Sequence, residues 1–336
     1  MYRRFGRPGG VRTARTWAVP STYLLILIGL TTLAACGPAR PASVVVSPPG
    51  VNAPARVQVR VGGQITTVPI DEYVLGAVLS EVTPLDETPA AVDRIYEVQA
   101  IIARTYVVSQ IGRHHAEGFD VCDTTHCQIY DPARVRTSRF TTAARAAVTR
   151  TRGRILSYGG HVAEALFHAD CGGSTTGADA VWGGRPFPYL RAIEDNLTPE
   201  THRKWEVTAT NEQLRVALDA DARTNVGKSL TAIEILSRDD SGRAAGLSVR
   251  GERSYTVRGD VLRSVLNLSL GGRGLQSTKF TLARSGNRYT FEGTGFGHGV
   301  GLCQRGAATR LRRGDSVEGV LRAYYPGTTL TQTKTP

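Results

Sequence analysis

The sequence predicts an α+β domain, and three observations support this fold class. Residues 57–61 alternate apolar and polar side chains, which is typical of a β-strand with one buried face. Two segments with apolar residues at helical spacing follow, at residues 72–82 and from residue 89 onwards. The remaining segments are mostly strand-like and do not alternate regularly with helices, which favours α+β over a doubly wound α/β sheet.

The first predicted elements are a β-hairpin and a helix. Strand 57–61 turns at Gly62-Gly63 into a second extended segment, residues 64–70. Asp71 is expected to cap the helix that follows. The apolar residues of this helix share one face: Val74, Leu75, Val78, Leu79 and Val82. Glu81 lies at the edge of that face, so its carboxyl group is expected to be partly buried.

A second, longer helix is predicted after Pro89, ending near Gly112. Its core face comprises Ala91, Ile95, Val98, Ile102 and Tyr106. Further strands are expected at residues 155–158, 162–167, 230–236, 246–250 and 278–283. Short helices are expected at residues 211–218, 259–266 and 302–312.

The N-terminus has the pattern of a secretory leader. Five arginines and no acidic residue precede the apolar run 23–30. This run is shorter than the roughly 20 apolar residues of a membrane-spanning helix, so we expect the leader to be removed. It ends in Leu33-Ala34-Ala35-Cys36, which resembles the bacterial lipobox and predicts acylation of Cys36. The alternatives are an ordinary signal peptide or an uncleaved anchor.

These features give a domain scheme. Residues 1–35 are the predicted signal peptide, and the proline-rich residues 36–55 are a predicted tether between lipid and domain. Residues 56–331 are expected to form one large domain, which a cleft could divide into two lobes. Residues 332–336 are a predicted tail, and the polar stretch from Thr328 onwards is expected to fray.

The charge of the chain is moderately basic. Loss of the five leader arginines takes the formal net charge from +12 to +7. The remaining arginines are scattered and do not cluster with aromatic residues, so no nucleic-acid partner is expected. An exported basic protein is better suited to the anionic groups of a cell envelope.

Three long stretches, in order, carry a family resemblance. The first is residues 71–76 with Glu81, followed by 98–100 and 103–106. The second is residues 120–128, followed by 167–168, 171–175, 181–183 and 188–190. The third is residues 295–301, followed by Gln304, 306–307 and 324–327. Together they resemble the SpoIID/LytB family, which includes stage II sporulation protein D and amidase enhancers, over roughly residues 57–330.

The resemblance implies that Glu81 is the catalytic acid of a lytic transglycosylase acting on peptidoglycan glycan strands stripped of their peptides. A partly buried carboxyl group has a raised pKa and can hold a proton near neutrality. One carboxyl group suffices, because the muramic acid 6-hydroxyl attacks its own anomeric carbon, and no cofactor is needed for this chemistry. The family usually has Met-Pro after this glutamate, whereas this chain has Val82-Thr83-Pro84, so the adjoining loop is expected to differ.

Two further functions fit the same family. The chain could be a non-enzymatic enhancer of an N-acetylmuramoyl-L-alanine amidase, which would then be a protein partner. It could also be a glycan-binding lipoprotein without activity. In each case the expected location is the extracytoplasmic face of the envelope, through the lipid anchor.

Cysteine and histidine residues cluster at Cys122, His126 and Cys127, with His114 and His115 shortly upstream. Thiolate and imidazole ligands at this spacing suit tetrahedral zinc, and we take His115 as the fourth ligand. The resemblance points the same way, since some relatives bind zinc at the corresponding place. The alternatives are a Cys122–Cys127 disulfide, a pairing with Cys171, or free thiols. Any zinc here is expected to be structural.

The remaining cleft residues are predicted mainly from the third stretch. The glycine-rich segment 293–301 can approach a ligand closely and carries His298. Cys303 and Gln304 follow, where relatives often have a serine before the glutamine, so Cys303 replaces an expected hydroxyl group. From the second stretch, Thr175, Tyr189 and His168 are candidates for the cleft, and the alternative for each is ordinary packing in the core or in a turn.

Overall fold

A computed structural model describes residues 52–85, 87–195, 202–271 and 274–334. Within these ranges, α-helices combine with short strands in several small sheets, so the predicted α+β class is confirmed. The predicted leader, Cys36 and the tether up to residue 51 lie outside the described residues. None of the helices described is both long enough and apolar enough to cross a membrane.

The predicted hairpin consists of β1 (Arg56–Val61) and β2 (Gln64–Pro69), which pair antiparallel. Gly62 and Gly63 make the turn with φ of 55° and 87°, values that glycine adopts without strain. Helix α1 (Ile70–Glu81) follows directly. Its N-cap is Pro69 and not the predicted Asp71. Strand β3 (Val121–Cys122) pairs parallel with β1 and carries the first cysteine of the Cys/His cluster.

Three further helices complete this part of the chain: α2 (Pro89–Ser109), α3 (Arg134–Thr137) and α4 (Thr141–Arg150). Helix α1 packs against α2 and α4, which also pack on each other, and every residue from Tyr73 to Leu79 is buried. Arg104 of α2 is 1% exposed. The Asp71 side chain was expected to cap the helix and instead contacts Arg104. The Nη2 of Arg104 donates to Asp71 Oδ1 at 3.0 Å and its Nη1 to the Thr151 carbonyl at 2.9 Å. This guanidinium therefore fixes the start of α1 against α2 and the end of α4.

The next segment contains β4 (Arg154–Tyr158), β5 (His161–Val162), β6 (Phe167–His168) and α5 (Ala178–Trp182). The single strand predicted at residues 162–167 is therefore two short strands separated by a non-strand stretch. The strand is split because its two ends pair with different partners. β5 pairs with β4, whereas β6 pairs with a strand near the C-terminus.

Residues 204–294 form two antiparallel sheets with two helices. Their elements are β7 (Lys204–Thr210), α6 (Asn211–Asp219), β8 (Leu230–Arg238), β9 (Ala244–Gly251), β10 (Ser254–Arg258), α7 (Gly259–Leu270), β11 (Phe280–Ser285) and β12 (Arg288–Thr294). The strand orders are β11-β12-β7 and β10-β9-β8. Both sheets and both helices share one apolar core, which includes Trp205, Leu247 and Phe291.

The C-terminal elements return to the first part of the chain. They are β13 (Leu302–Cys303), α8 (Gln304–Arg312), α9 (Val317–Tyr324) and β14 (Thr329–Gln332). Strand β13 pairs parallel with β6, and β14 pairs antiparallel with β4. The helix predicted at 302–312 begins at Gln304 because Leu302 and Cys303 are extended for this pairing. Helices α8 and α9 pack on α2.

Both predicted flexible ends are shorter than expected. Residues predicted to fray from Thr328 form β14 instead, and the Thr333 N–H donates to the Gly153 carbonyl at 2.7 Å. At the other end, Ala53 is 7% exposed and belongs to the core with α1. Asn52 forms a β-bridge with Lys334. The folded part therefore starts before residue 56 and extends beyond residue 331.

Candidate active site

A cleft of about 570 Å³ opens where several distant segments of the chain meet. The end of α1, the loop after β3, strand β6, helix α7 and the glycine-rich segment all contribute to its walls. Its chemically distinctive lining residues are Glu81, Tyr106, His168, Trp182, Asp260, Arg263, Phe296, His298 and Gln304. The cleft thus combines charged and polar groups with aromatic side chains, as expected of a site that binds a polar ligand.

Glu81 is the last residue of α1, and its carboxyl group lies in this cleft. Burial raises its pKa to about 7, although a hydrogen bond from the Ile129 N–H favours the charged form. That N–H donates to Oε1 at 2.9 Å. The carboxyl group is thus anchored at one oxygen and titrates near neutrality, as a group that both donates and accepts a proton must.

His298 lies in the cleft as predicted. Burial lowers its pKa to about 4, and the positive charge of Arg263 acts in the same direction. Its Nδ1 accepts from the Val300 N–H at 3.0 Å, and its ring lies 5.2 Å from that of Trp182. The imidazole is therefore neutral at physiological pH and suited to hydrogen bonding rather than to charge stabilisation.

His168 and Gln304 also line the cleft. His168 is 4% exposed, and its Nδ1 lies 3.2 Å from the Val300 carbonyl. Its Nε2 has no hydrogen-bond partner among the described residues. Gln304 begins α8 and donates from Nε2 to Gln99 Oε1 at 3.3 Å. Gly297 lets the glycine-rich segment approach β6, because a Cβ atom there would lie 2.8 Å from that of His168.

Thr175, Tyr189 and Cys303 do not line the cleft, which corrects the sequence prediction. All three are buried, with exposures of 0%, 4% and 0%. Thr175 donates to the Arg191 carbonyl, and the Tyr189 hydroxyl accepts from the Glu164 N–H. Cys303 caps α8, where its Sγ accepts from the Gly306 N–H at 3.3 Å. Their polar atoms stabilise the loops behind the cleft.

The predicted metal ligands come together beside the cleft, with one change. Cys127 Sγ lies 3.1 Å from Cys122 Sγ, 3.6 Å from His126 Nδ1 and 3.4 Å from His114 Nε2. The fourth side chain is therefore His114. The predicted His115 is exposed at the start of a short 3-10 helix, His115–Glu117, and is not among the side chains that cluster here. Glu117 accepts a hydrogen bond from His114 Nδ1 at 2.8 Å, which turns Nε2 towards the thiols.

These donors could hold a zinc ion. Tetrahedral zinc with Zn–S of 2.3 Å places two sulfur ligands roughly 3.8 Å apart, and a disulfide places them at about 2.05 Å. The separation of 3.1 Å between Cys122 and Cys127 falls between these values. Both cysteines are free thiols here, and His114, His126 and Cys127 offer ligand atoms within 4.8 Å of one another.

The two thiols differ in acidity. Burial disfavours the thiolate of Cys122, but hydrogen bonds from Thr124 and Cys127 outweigh it and lower the pKa of Cys122 to about 7. Burial and the neighbouring Cys122 raise the pKa of Cys127 to about 11. Cys122 therefore loses its proton more readily than Cys127 does.

The cleft also contains residues that the sequence did not single out as site residues. Trp182 and Phe296 are each 41% exposed and line the cleft, so their rings offer apolar faces to a ligand. Arg263 contributes a guanidinium from α7. Trp182 stands in one of the motifs carrying the resemblance, but a single aromatic residue in a sequence gives no signal that separates a core position from a cleft position.

Comparisons with known proteins bear on the family resemblance of this chain. Residues 61–158 match the family model described as Stage II sporulation protein (SpoIID), and residues 196–301 match a domain of unknown function, DUF8618. The chain is 29% identical to stage II sporulation protein D of Bacillus subtilis (strain 168) over 282 residues, which is 80% of this chain and 76% of the relative.

Two other relatives are similar at the same level. The amidase enhancer of the same organism is 28% identical over 278 residues, covering 70% of this chain and 37% of that longer protein. An uncharacterized protein of Brachyspira hyodysenteriae is 29% identical over 77% of this chain and 65% of its own length. The resemblance seen in the sequence is therefore confirmed by these relatives, and residues 61–158 match the SpoIID family model.

Proposed function

We propose that this protein is a lytic transglycosylase that cuts the glycan strands of peptidoglycan between N-acetylmuramic acid and N-acetylglucosamine. The observation that carries the proposal is Glu81, a partly buried carboxyl group with a pKa of about 7 in an open cleft. Asp260 is the other acidic residue in the described lining, and both of its oxygens are bound by Arg258. This leaves one carboxyl group suited to proton transfer, and a transglycosylase needs only one.

In the proposed reaction, Glu81 first acts as the acid. Its carboxyl proton passes to the glycosidic oxygen, so the N-acetylglucosamine leaves as an alcohol while the bond to the muramic acid C1 breaks. The resulting carboxylate then takes the proton of the muramic acid 6-hydroxyl as its oxygen bonds to C1. The product is a 1,6-anhydro sugar, and no water is consumed. Trp182, Phe296, His298 and Gln304 line the same cleft and would bind the sugars on either side of the bond.

A second function is favoured by one comparison. The relative named amidase enhancer matches 70% of this chain, which supports a role in which the cleft binds glycan without cutting it and an amidase is the partner. Reaction products separate the two functions. Peptide-stripped strands incubated with the purified protein yield 1,6-anhydromuramoyl ends if it is an enzyme, as seen by mass spectrometry. Intact strands, together with faster release of peptides by an added N-acetylmuramoyl-L-alanine amidase, would identify an enhancer.

We further propose that a structural zinc ion is held by Cys122, Cys127, His126 and His114. Zinc would supply no chemistry to the substrate and would instead fix the loop from Cys122 to Ile129. That loop lines the cleft through Cys127, Gln128 and Ile129, and its Ile129 N–H binds the proposed acid. Support for the ion comes from the convergence of four soft or borderline donors, with a carboxylate oriented behind His114.

The proposed substrate lies outside the cytoplasm, which is consistent with the leader and with relatives named for sporulation and amidase enhancement. Acylation of Cys36 would then hold the folded part at the membrane through the proline-rich segment that follows it.

A further inference from the structure

Arg263 is the basic residue in the described lining of the cleft. It lies on α7, within the segment 196–301 that matches the second family model, whereas Glu81 lies within the segment 61–158 that matches the first. Its Nε donates to the Leu275 carbonyl at 3.0 Å, which orients the side chain and leaves the forked Nη groups for another partner.

No carboxylate among the described residues forms an ion pair with Arg263, although eighteen ion pairs occur elsewhere in them. The other acidic groups of the cleft are engaged already: Asp260 is bound by Arg258, and Glu81 accepts from Ile129. The neighbouring charge is positive, from the buried Arg243, and the nearby His298 is neutral.

An unpaired cation in such a place is costly. Burial lowers the pKa of Arg263, and Arg243 adds repulsion, while among the described residues no carboxylate pairs with it and the hydrogen bond from Nε to the Leu275 carbonyl replaces only part of the lost hydration. A guanidinium kept in a ligand cleft under these conditions is suited to binding an anion, and its fork matches a carboxylate with two parallel hydrogen bonds.

We propose that Arg263 binds the lactyl carboxylate of N-acetylmuramic acid and thereby selects strands that have lost their peptides. The inference rests on the proposed glycan substrate. In a strand that carries stem peptides, the lactyl carboxyl is an amide and has no charge. Removal of the peptide by amide hydrolysis frees the carboxylate, and this is the anionic group that each muramic acid of a stripped strand offers. Arg263 is thus a specificity-determining residue, on the wall of the cleft supplied by α7.

The test compares two probes that differ only in this charge. One is peptide-stripped glycan strands, and the other is the same strands with their lactyl carboxylates converted to neutral methylamides. Binding is measured by calorimetry with the full chain in detergent, carrying Glu81→Gln so that no probe is consumed. We expect the stripped strands to bind about tenfold more tightly than the amidated strands, the usual size of a charge-assisted hydrogen-bonding contact.

In the Glu81→Gln background, Arg263→Gln should bring the ratio of the affinities for stripped and amidated strands close to one, mainly by weakening binding of the stripped strands. Arg288 is an exposed arginine on β12 and provides the matched control. Arg288→Gln removes the same charge outside the cleft and should leave the affinity ratio unchanged. Circular dichroism and melting temperature establish that the variants are folded. A folded Arg263→Gln protein that keeps the full ratio overturns the inference.

Two further results keep the inference separate from the proposed activity. If the protein with arginine at 263 binds both probes equally, the inference fails whether or not any variant folds, and anhydro products from the active protein would still support the transglycosylase. If no anhydro products form but the charge-dependent ratio and its loss in Arg263→Gln are observed, the activity fails and the inference holds for a glycan-binding protein.

Discussion

The backbone N–H of Ile129 donates a 2.9 Å hydrogen bond to Oε1 of Glu81. This bond joins the end of α1 to the loop that begins with Cys122 in β3. It stabilises the carboxylate while burial stabilises the carboxyl form, and the balance gives a pKa of about 7. The position of the loop therefore affects both the orientation and the acidity of the proposed acid.

Glu81→Gln should abolish most of the transglycosylase activity. Glutamine preserves the size of the side chain but has no transferable proton, and general acid–base catalysis typically contributes roughly 10²- to 10⁴-fold. We expect a loss of at least 10²-fold in anhydro-product formation from stripped strands. Glu72→Gln, on the same helix but exposed and paired with Arg145, serves as the matched control and should retain activity. A folded Glu81→Gln protein with more than a tenth of the original rate would exclude Glu81 as the acid.

The rate should also depend on pH around the pKa of this group. With a pKa raised from 4.5 to about 7, Glu81 is protonated below neutrality and ionised above it. Since only the protonated form can donate to the leaving oxygen, kcat/KM should fall about tenfold per pH unit above pH 7. The measurement is a pH–rate profile on stripped strands. A rate that stays constant from pH 6 to pH 9 would contradict the assignment.

The same raised pKa predicts a pH-dependent stability. Between the unfolded value of 4.5 and the folded value of about 7, the folded state binds more protons than the unfolded state. Stability contributed by Glu81 is therefore present below pH 4.5 and is lost as pH rises through 7, by on the order of 1–3 kcal/mol. Glu81→Gln should lack this loss, so its melting temperature should exceed that of the original protein at pH 8 but not at pH 4.5. Equal melting temperatures at pH 8 would argue against a desolvated carboxylate.

The zinc hypothesis distinguishes two adjacent histidines. Protein purified without added metal should contain close to one zinc per chain by elemental analysis. His114→Ala and Cys122→Ser should lose the ion, because both remove a donor atom of the cluster. His115→Ala is the matched control and should keep it, since its ring is exposed. Metal-free protein with a Cys122–Cys127 bridge in peptide mapping would establish the disulfide instead.

Cys36→Ala tests the lipid anchor. The lipobox-like ending at Cys36 predicts that the original protein is acylated and fractionates with the membrane. The variant should lose the lipid, detectable by mass spectrometry of the N-terminal peptide, and should accumulate as precursor or be mis-sorted. Processing at the same bond and unchanged membrane association in the variant would refute acylation at this residue.

Much of the fold was predictable because its early elements depend on local pattern. The hairpin, α1 and α2 were placed within a few residues, since each has a regular apolar period over its full length. Elements whose existence depends on distant partners were missed or misplaced. Strand β14 looks like a polar tail until β4 is placed beside it, and Leu302 and Cys303 look helical until they pair with β6.

The site shows the same division. The partly buried position of Glu81 in the cleft could be predicted from its place on a helix together with the family motif. Thr175, Tyr189 and Cys303 could not be separated from cleft residues by sequence, because their burial depends on loops that converge only in three dimensions. His114 and His115 are adjacent in the chain, and only the turn into the 3-10 helix decides which ring faces the thiols. Arg263 gave no signal, because its significance lies in forming no ion pair with a carboxylate of the described residues.

The pairing of β4 with β14 also bears on how this protein can be dissected. The segment 61–158 that matches the SpoIID model ends with β4, whose partner lies at residues 329–332. Helix α2 of the same segment packs on α8 and α9. Expressed alone, this segment would present an unpaired strand edge beside a bare apolar helix face, a combination that favours aggregation. The segment that matches the SpoIID model is thus smaller than the unit whose apolar surfaces are covered in the folded protein.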